Sequence, residues 1–154
     1  MYRTYLNETG FEKIRAAFPA AERAEGPEGA FSIDAGALCD LLAFLQADET
    51  CAFDRLGNLT AVDYPDGFEL VYHLHSSQKR HTVAVKARLP KENPVAPSVT
   101  ALWPSADFQE REVYDLLGIR FENHPNLQRI LLPDDFEGYP LRKDFKPVQP
   151  ETRC

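Results

Sequence analysis

Four charged side chains, Glu110, Arg111, Glu112 and Asp115, crowd one short helical stretch. Paired carboxylates can act as general acid and base when a pocket and a reacting group stand beside them. No nucleophile is in view here. Arg111 and Asp115 are four residues apart and can pair along a helix. The set reads either as a helix-surface salt-bridge group or as an interface helix whose charges meet countercharges on another subunit. Arg120, Arg129, Arg142 and Lys143 follow on a stretch without helical or strand period. Guanidinium forks match carboxylates and backbone carbonyls, which suits docking onto an acidic or carbonyl-rich partner surface. A phosphate site would want a glycine-rich backbone cradle, and the sequence lacks one.

Other polar groups carry weaker signals. Asn123-His124-Pro125 places His124 in a tight turn, hydrogen-bonded locally. His73 and His75 share one strand face, with His81 nearby across a turn, yet no cysteine or carboxylate is placed to complete a metal set. Asp134, Asp135 and Glu137 lack the spacing of a calcium loop and read as a solvated turn. Cys39, Cys51 and Cys154 lie far apart with no CxxC, so buried thiols and an exposed terminal thiol are expected. GxGxxG, P-loop, HExxH and GxSxG motifs are absent.

The elements that must position these groups follow from periodicity. Thr9-Gly10-Phe11-Glu12 reads as a capping box, and Phe11, Ile14 and Phe18 give the helix after it one apolar stripe. Ala20 to Gly29 reads as a solvated loop, and Phe31 to Ile33 as a short strand. Asp34 suits the N-cap of a second helix carrying Leu38, Leu41, Leu42 and Leu45. Leu59 to Tyr64 is a strand, with Asp54 to Asn58 either a turn or an earlier piece of it. Gly67 to His75 and His81 to Leu89 alternate, and their links suit tight antiparallel turns. Pro90 to Pro97 breaks the sheet. A third helix starts at Ser105, carries Phe108, Val113, Leu116 and Leu117 toward a core, and stops at Gly118. The order predicts an α+β fold, two-layer, with helices packed on a mainly antiparallel or mixed sheet.

The chain of 154 residues fits one domain, and its 44% hydrophobic and 27% charged content is ordinary for a globular protein. A net charge of −7 argues against a general nucleic-acid binder, because no basic surplus exists to neutralise phosphates. No apolar run approaches the ~20 residues of a membrane-spanning helix, and the first residues lack a signal-peptide core. A cytosolic chain, or one held at a membrane by docking to another protein, is expected. Residues 1–118 form the expected α+β domain and 119–154 an extended docking segment of the same domain. That segment is irregular, yet Ile119, Phe121, Leu127, Ile130, Leu131, Leu132, Phe136 and Phe145 demand burial. A tail that wraps a partner satisfies both facts.

The stretch EREVYDLLGIRFENHPNLQRILLPDDFEGYPLRKDF closely resembles the signature of the thirty-kilodalton subunit, the C-type subunit, of proton-pumping NADH–quinone oxidoreductase, respiratory complex I. The shared residues are Glu110-Arg111-Glu112, Asp115, Gly118-Ile119, Phe121, His124-Pro125, Leu127, Arg129-Ile130-Leu131, Phe136, Gly138, Pro140 and Arg142-Lys143-Asp144-Phe145. LTAVDYPDGFELVYHLHS and SVTALWPSADFQ are similar to this family too, so the likeness runs from about Leu38 onward. Leu117 stands where an aromatic residue is common, Tyr139 replaces a frequent histidine, and the longer C-terminal extension of many relatives is missing.

The resemblance implies a hydrophilic subunit of the peripheral arm with no catalytic site and no cofactor or metal of its own. The complex around it would use NADH, FMN, iron–sulfur clusters and a quinone. The implied partner is the large, D-type quinone-site subunit, with the tail laid over neighbours. The implied place is the cytoplasmic face of the cell inner membrane, with membrane contact only through the complex. Glu110, Arg111, Asp115, His124, Arg129, Arg142 and Lys143 are the expected subunit-interface residues. Related domains in membrane-bound energy-converting hydrogenases or ferredoxin-linked complexes are the alternative.

Overall fold

The computed structural model describes residues 4–24 and 29–148. Its elements run β1 (Thr4–Tyr5), α1 (Glu8–Ala17), β2 (Glu22–Ala24), β3 (Ala30–Asp34), α2 (Ala35–Ala47), β4 (Arg55–Tyr64), β5 (Gly67–His75), β6 (His81–Pro90), β7 (Val95–Pro97), α3 (Ala106–Leu117) and β8 (Arg120–Glu122). The expected α+β architecture is present, and the sheet is mixed. Its order is β2-β3-β6-β5-β4, with β1 also on β6. The meander β4–β5–β6 is antiparallel, whereas β1 and β3 both run parallel to β6, on successive parts of it.

Period-two alternation sets the two faces of this sheet. Phe68, Leu70, Tyr72 and Leu74 of β5 are fully buried on the helix side, beside Val83, Val85 and Ala87 of β6. Leu38, Leu41, Leu42 and Leu45 of α2 form the stripe that covers them, and they belong to the same core cluster. Burying each such side chain stabilises the fold by about 1.5–3 kcal/mol. The opposite face carries only a small cluster of Ala30, Val71 and Ala84. In β4 a bulge between Leu56 and Asn58 shifts the register. The bulge lets Leu56 and Leu59, three residues apart, both face the core, and Arg55 to Asn58 are the earlier piece of the same strand rather than a turn.

Several expectations are corrected. Helix α1 starts at Glu8 because Asn7, not Thr9, is the cap: its Oδ1 accepts the Gly10 N–H at 2.9 Å. The expected loop from Ala20 contains β2, antiparallel to β3; three residues are too few to show a period. Residues 25–28 of that loop, and Cys154, lie outside the described residues. Phe108 does not face the core and is 65% exposed. The inward face of α3 is set by Ala106, Glu110, Val113 and Leu117, and Phe108 lies ~200° around the helix from Ala106. The irregular segment also starts later than Ile119. Ile119 and Phe121 are core residues, and β8 pairs in parallel with β7. Gly118 takes the left-handed conformation, φ 74°, that ends α3.

Candidate docking surface

Helix α3 is the joint between the domain and the strap formed by residues 123–148. The last four carbonyls of a helix lack partners within it. Here the glycine turn and the strap supply them. Tyr114 O accepts the Gly118 N–H at 2.8 Å, and Leu116 O accepts the Leu141 N–H at 3.1 Å. Asp115 O accepts from Arg129 Nη1 at 3.2 Å, and Leu117 O accepts from Arg142 Nε at 2.6 Å. Two guanidinium groups therefore sit at the negative end of the helix dipole, where cations are favoured. The Arg142 guanidinium also lies 5.2 Å from the Phe68 ring centroid and 4.9 Å from that of Tyr139.

Asp115 anchors the strap from the same helix. Its Oδ2 accepts three consecutive backbone N–H groups, from Ile130 at 3.1 Å, Leu131 at 2.7 Å and Leu132 at 3.1 Å. Its Oδ1 takes Arg129 Nη1 at 3.1 Å. Burial alone would raise this carboxyl, but the amides and Arg129 outweigh it and hold it below the usual aspartate range. The arginine that reaches Asp115 is thus Arg129, while Arg111 Nε donates to the Gln128 carbonyl at 3.0 Å. Arg129 Nη2 donates onward to Gly138 O at 2.9 Å.

Glu110 faces inward as well. Its Oε1 accepts the Val99 N–H and its Oε2 the Ser98 hydroxyl, each at 2.7 Å. Burial pushes this carboxyl up, and the two hydrogen bonds oppose that without cancelling it. The His124 side chain is fully buried beside it, with Nε2 3.9 Å from Glu110 Oε2 and 3.1 Å from Asp107 Oδ1. His124 Nδ1 accepts the Asn126 N–H at 2.9 Å, so the ring proton sits on Nε2, 3.2 Å from the Asp107 carbonyl. This is the local turn expected of Asn123-His124-Pro125, and Asn123 makes it with a positive φ of 64°.

The remaining candidates separate. His73 and His75 lie on the outer sheet face, whereas His81 faces the core, where its Nε2 is 2.7 Å from Cys51 O and its ring lies tilted by 33° against Phe53 at 4.8 Å. Strand parity on β6 keeps the three from converging, and among the described residues no group of three His, Cys, Asp or Glu could hold a metal ion. Cys51 is buried, and burial with Asp48 nearby pushes its thiol up to about 12; Cys39 is partly buried. Asp134 and Asp135 lie exposed in a turn. Arg120 is exposed and reaches Asn93.

Asp63 was not singled out from the sequence, yet it is a second anchor. It is buried at the edge strand β4, bonded by Lys91 Nζ, and its Oδ2 accepts the Lys143 N–H at 2.9 Å. Its signal is present in the alternation: Leu59, Ala61 and Asp63 share the inward face, and an inward carboxylate demands partners. On the outside of the strap, Leu131 is 61%, Leu141 59% and Val148 78% exposed.

Comparison with known proteins fits this arrangement. The model of the respiratory-chain NADH dehydrogenase 30 Kd subunit family matches residues 31–151. The C-type subunit of the NADH-quinone oxidoreductase of Moorella thermoacetica is 46% identical over 138 residues, spanning 88% of this chain and 92% of that protein. Its counterpart in a Roseiflexus species, strain RS-1, is 42% identical over 144 residues, spanning 90% and 83%. Among solved structures, a chain of the membrane-bound sulfane sulfur reductase, an archaeal respiratory membrane complex, superposes with a TM-score of 0.78 at 31% identity, covering 90% of this chain and 85% of that one. A trypsin-resistant fragment of Nqo5 superposes with a TM-score of 0.68 at 30% identity, covering 78% and 98%. With a family model over most of its length and relatives above two-fifths identity, this chain belongs to the 30 Kd subunit family of respiratory-chain NADH dehydrogenase, the family of the C-type subunits of NADH-quinone oxidoreductases.

Proposed function

We propose that this chain is a peripheral-arm subunit of a proton-translocating NADH–quinone oxidoreductase, with no catalysis of its own, that docks onto the quinone-site subunit. The carrying observation is the strap: its inner side is fastened to α3 and Asp63, while Leu131, Leu141 and Val148 point to solvent. An ordered surface with apolar side chains left outside fits a partner. In this reading Glu110, Asp115, His124, Arg129 and Arg142 shape the docking face from beneath, and Arg111 and Lys143 reach the partner. Electron transfer from NADH through FMN and iron–sulfur clusters to quinone belongs to neighbouring subunits. In this reading attachment to the cytoplasmic face of the inner membrane runs through the complex; among the described residues no helix is long and apolar enough to cross a membrane.

Pull-down of the native chain with identification of its partners tests this, and the quinone-site subunit is the expected main partner. Arg129→Ala or Arg142→Ala is expected to free the strap, impair assembly and leave the domain core folded. Normal amounts of intact, active complex in both variants would sink the docking role. A second reading keeps the docking role within a hydrogenase-type or ferredoxin-linked complex, and the likeness to the archaeal sulfane sulfur reductase chain favours it. Genes for NADH- and flavin-binding subunits beside this one support the first reading. Nickel-site cysteines in the adjacent large subunit support the second.

A further inference from the structure

Arg129 and Arg142 of the strap are turned toward its own domain, and its exposed cations are Lys143 and Lys146. Phe136 and Phe145, their rings stacked 6.1 Å apart at 22°, line a groove of about 540 Å³ on the strap. Pro133 and Val148 extend its apolar floor, and Asp135 and Glu137 stand on its walls. Among the described residues no cation is on its lining, exposed Lys146 standing between the lining residues Phe145 and Pro147, and Arg129, whose guanidinium lies 5.7 Å from the Phe136 ring, is committed to Asp115 and to the Gly138 carbonyl. Among the described residues neither Asp135 nor Glu137 has a hydrogen-bond or ion-pair partner, and both are exposed.

From this charge pattern we infer that the groove seats a segment of the partner protein bearing a lysine or arginine next to an apolar side chain. The apolar part covers Phe136 and Phe145, and the cation lies between Asp135 and Glu137. The assignment rests on the docking reading above and reverses the partner chemistry that the strap's arginines suggest in the sequence. A second copy of this chain is a poor occupant, since the net charge of −7 brings acid against acid.

The test places full-length variants in the complex instead of the native chain. One carries Asp135→Lys with Glu137→Lys, the other Asp135→Asn with Glu137→Gln. The readout is the fraction of chain retained by the isolated complex as sodium chloride is raised, with melting of each isolated chain as the folding control. Retention of the lysine variant is expected to fall about tenfold at low salt, and that of the neutral variant by a smaller factor with a flatter salt dependence. Both chains should melt within about 2 °C of the native one. Native-like retention of the lysine variant at every salt concentration overturns the groove assignment and leaves docking standing. A native chain that co-purifies with no other subunit overturns both.

Discussion

The core and the strap of this protein are ordered by different physics. The core is held by non-directional burial: α2 adds four leucines to the apolar cluster that holds the inner faces of β5 and β6, and close-packed arrangements of similar volume would serve. The strap has no period and little burial of its own. It is held by directional bonds to groups the domain leaves open, namely the end carbonyls of α3, the Asp115 carboxylate and Asp63. An aperiodic segment can thus be ordered without a core, provided its backbone groups and cations meet unfilled acceptors. The contrast predicts that core lesions unfold the molecule and strap lesions release only the strap.

The largest effect is expected from Leu42→Ala, which opens a cavity under a fully buried side chain. A loss of about 2–5 kcal/mol in denaturant unfolding should result, with all probes of structure moving together. Next comes Asp115→Ala. It leaves three backbone amides and Arg129 without their acceptor, each buried orphan costing about 1–3 kcal/mol. Because the strap can peel away and let water satisfy them, the domain's melting should change less than in Leu42→Ala. Limited proteolysis should then cut within residues 123–148 much faster than in the native chain. A strap that stays protected while the whole domain melts early would erase the distinction.

Gly118→Ala tests the joint itself. The added Cβ would lie 2.6 Å from the Tyr139 ring and 2.7 Å from Arg142 Nη2, on a residue with φ 74°. The conformation alone costs about 1–2 kcal/mol, and the clash displaces the strap at its arginine. Hydrogen exchange at Leu141 should accelerate in this variant, since that amide bonds to Leu116 O. Unchanged exchange there would mean that the strap does not depend on the glycine turn.

Much of this architecture was legible in the sequence, and the exceptions share a cause. Helix α2 and strands β5 and β6 announce themselves because burial imposes a period on their apolar residues. Strand β2 has three residues and β1 two, too few for a period to show. Parallel pairing of β3 with β6 leaves no mark in either strand's own alternation. Glu110 and Asp115 were visible as a charge set, but which of them face inward depends on the helix phase, and Phe108 suggested the wrong one. Arg129 and Arg142 stood out as forks without showing their targets, because backbone carbonyls at a helix end carry no residue identity. Within the family signature, Asp115, Arg129 and Arg142 serve this joint, whereas Glu110 bonds Ser98 and Val99.

The two buried carboxylates of α3 sharpen the contrast through pH. Asp115 is held low, so its contribution is complete above the ordinary aspartate value of about 3.9 and is lost as pH falls through its folded value. Glu110 is held high, so its contribution is complete below the ordinary glutamate value of about 4.3 and is lost as pH rises through its folded value. Unfolding of native, Asp115→Asn and Glu110→Gln chains across pH separates them. The acid limb should flatten in Asp115→Asn, together with loss of strap protection. The decline just above the ordinary glutamate range should flatten in Glu110→Gln. Identical pH profiles for all three chains would refute both assignments.

The smallest effect is expected at Phe108, which belongs to neither region. Its ring is exposed, and its one described aromatic contact is the Arg111 guanidinium 5.8 Å from its centroid. Such an exposed cation–π contact is worth about 0.5–1 kcal/mol at most, and surface substitutions usually fall within about 0.5 kcal/mol. Phe108→Ser should therefore leave the isolated chain's melting and its strap protection almost unchanged. Within the complex the expectation differs. Covering this exposed ring with a partner would remove its apolar area from water and favour association. Reduced retention of Phe108→Ser with unchanged melting would extend the docking face from the strap onto α3. Equal retention would confine that face to the strap, where the groove walls carry the charge.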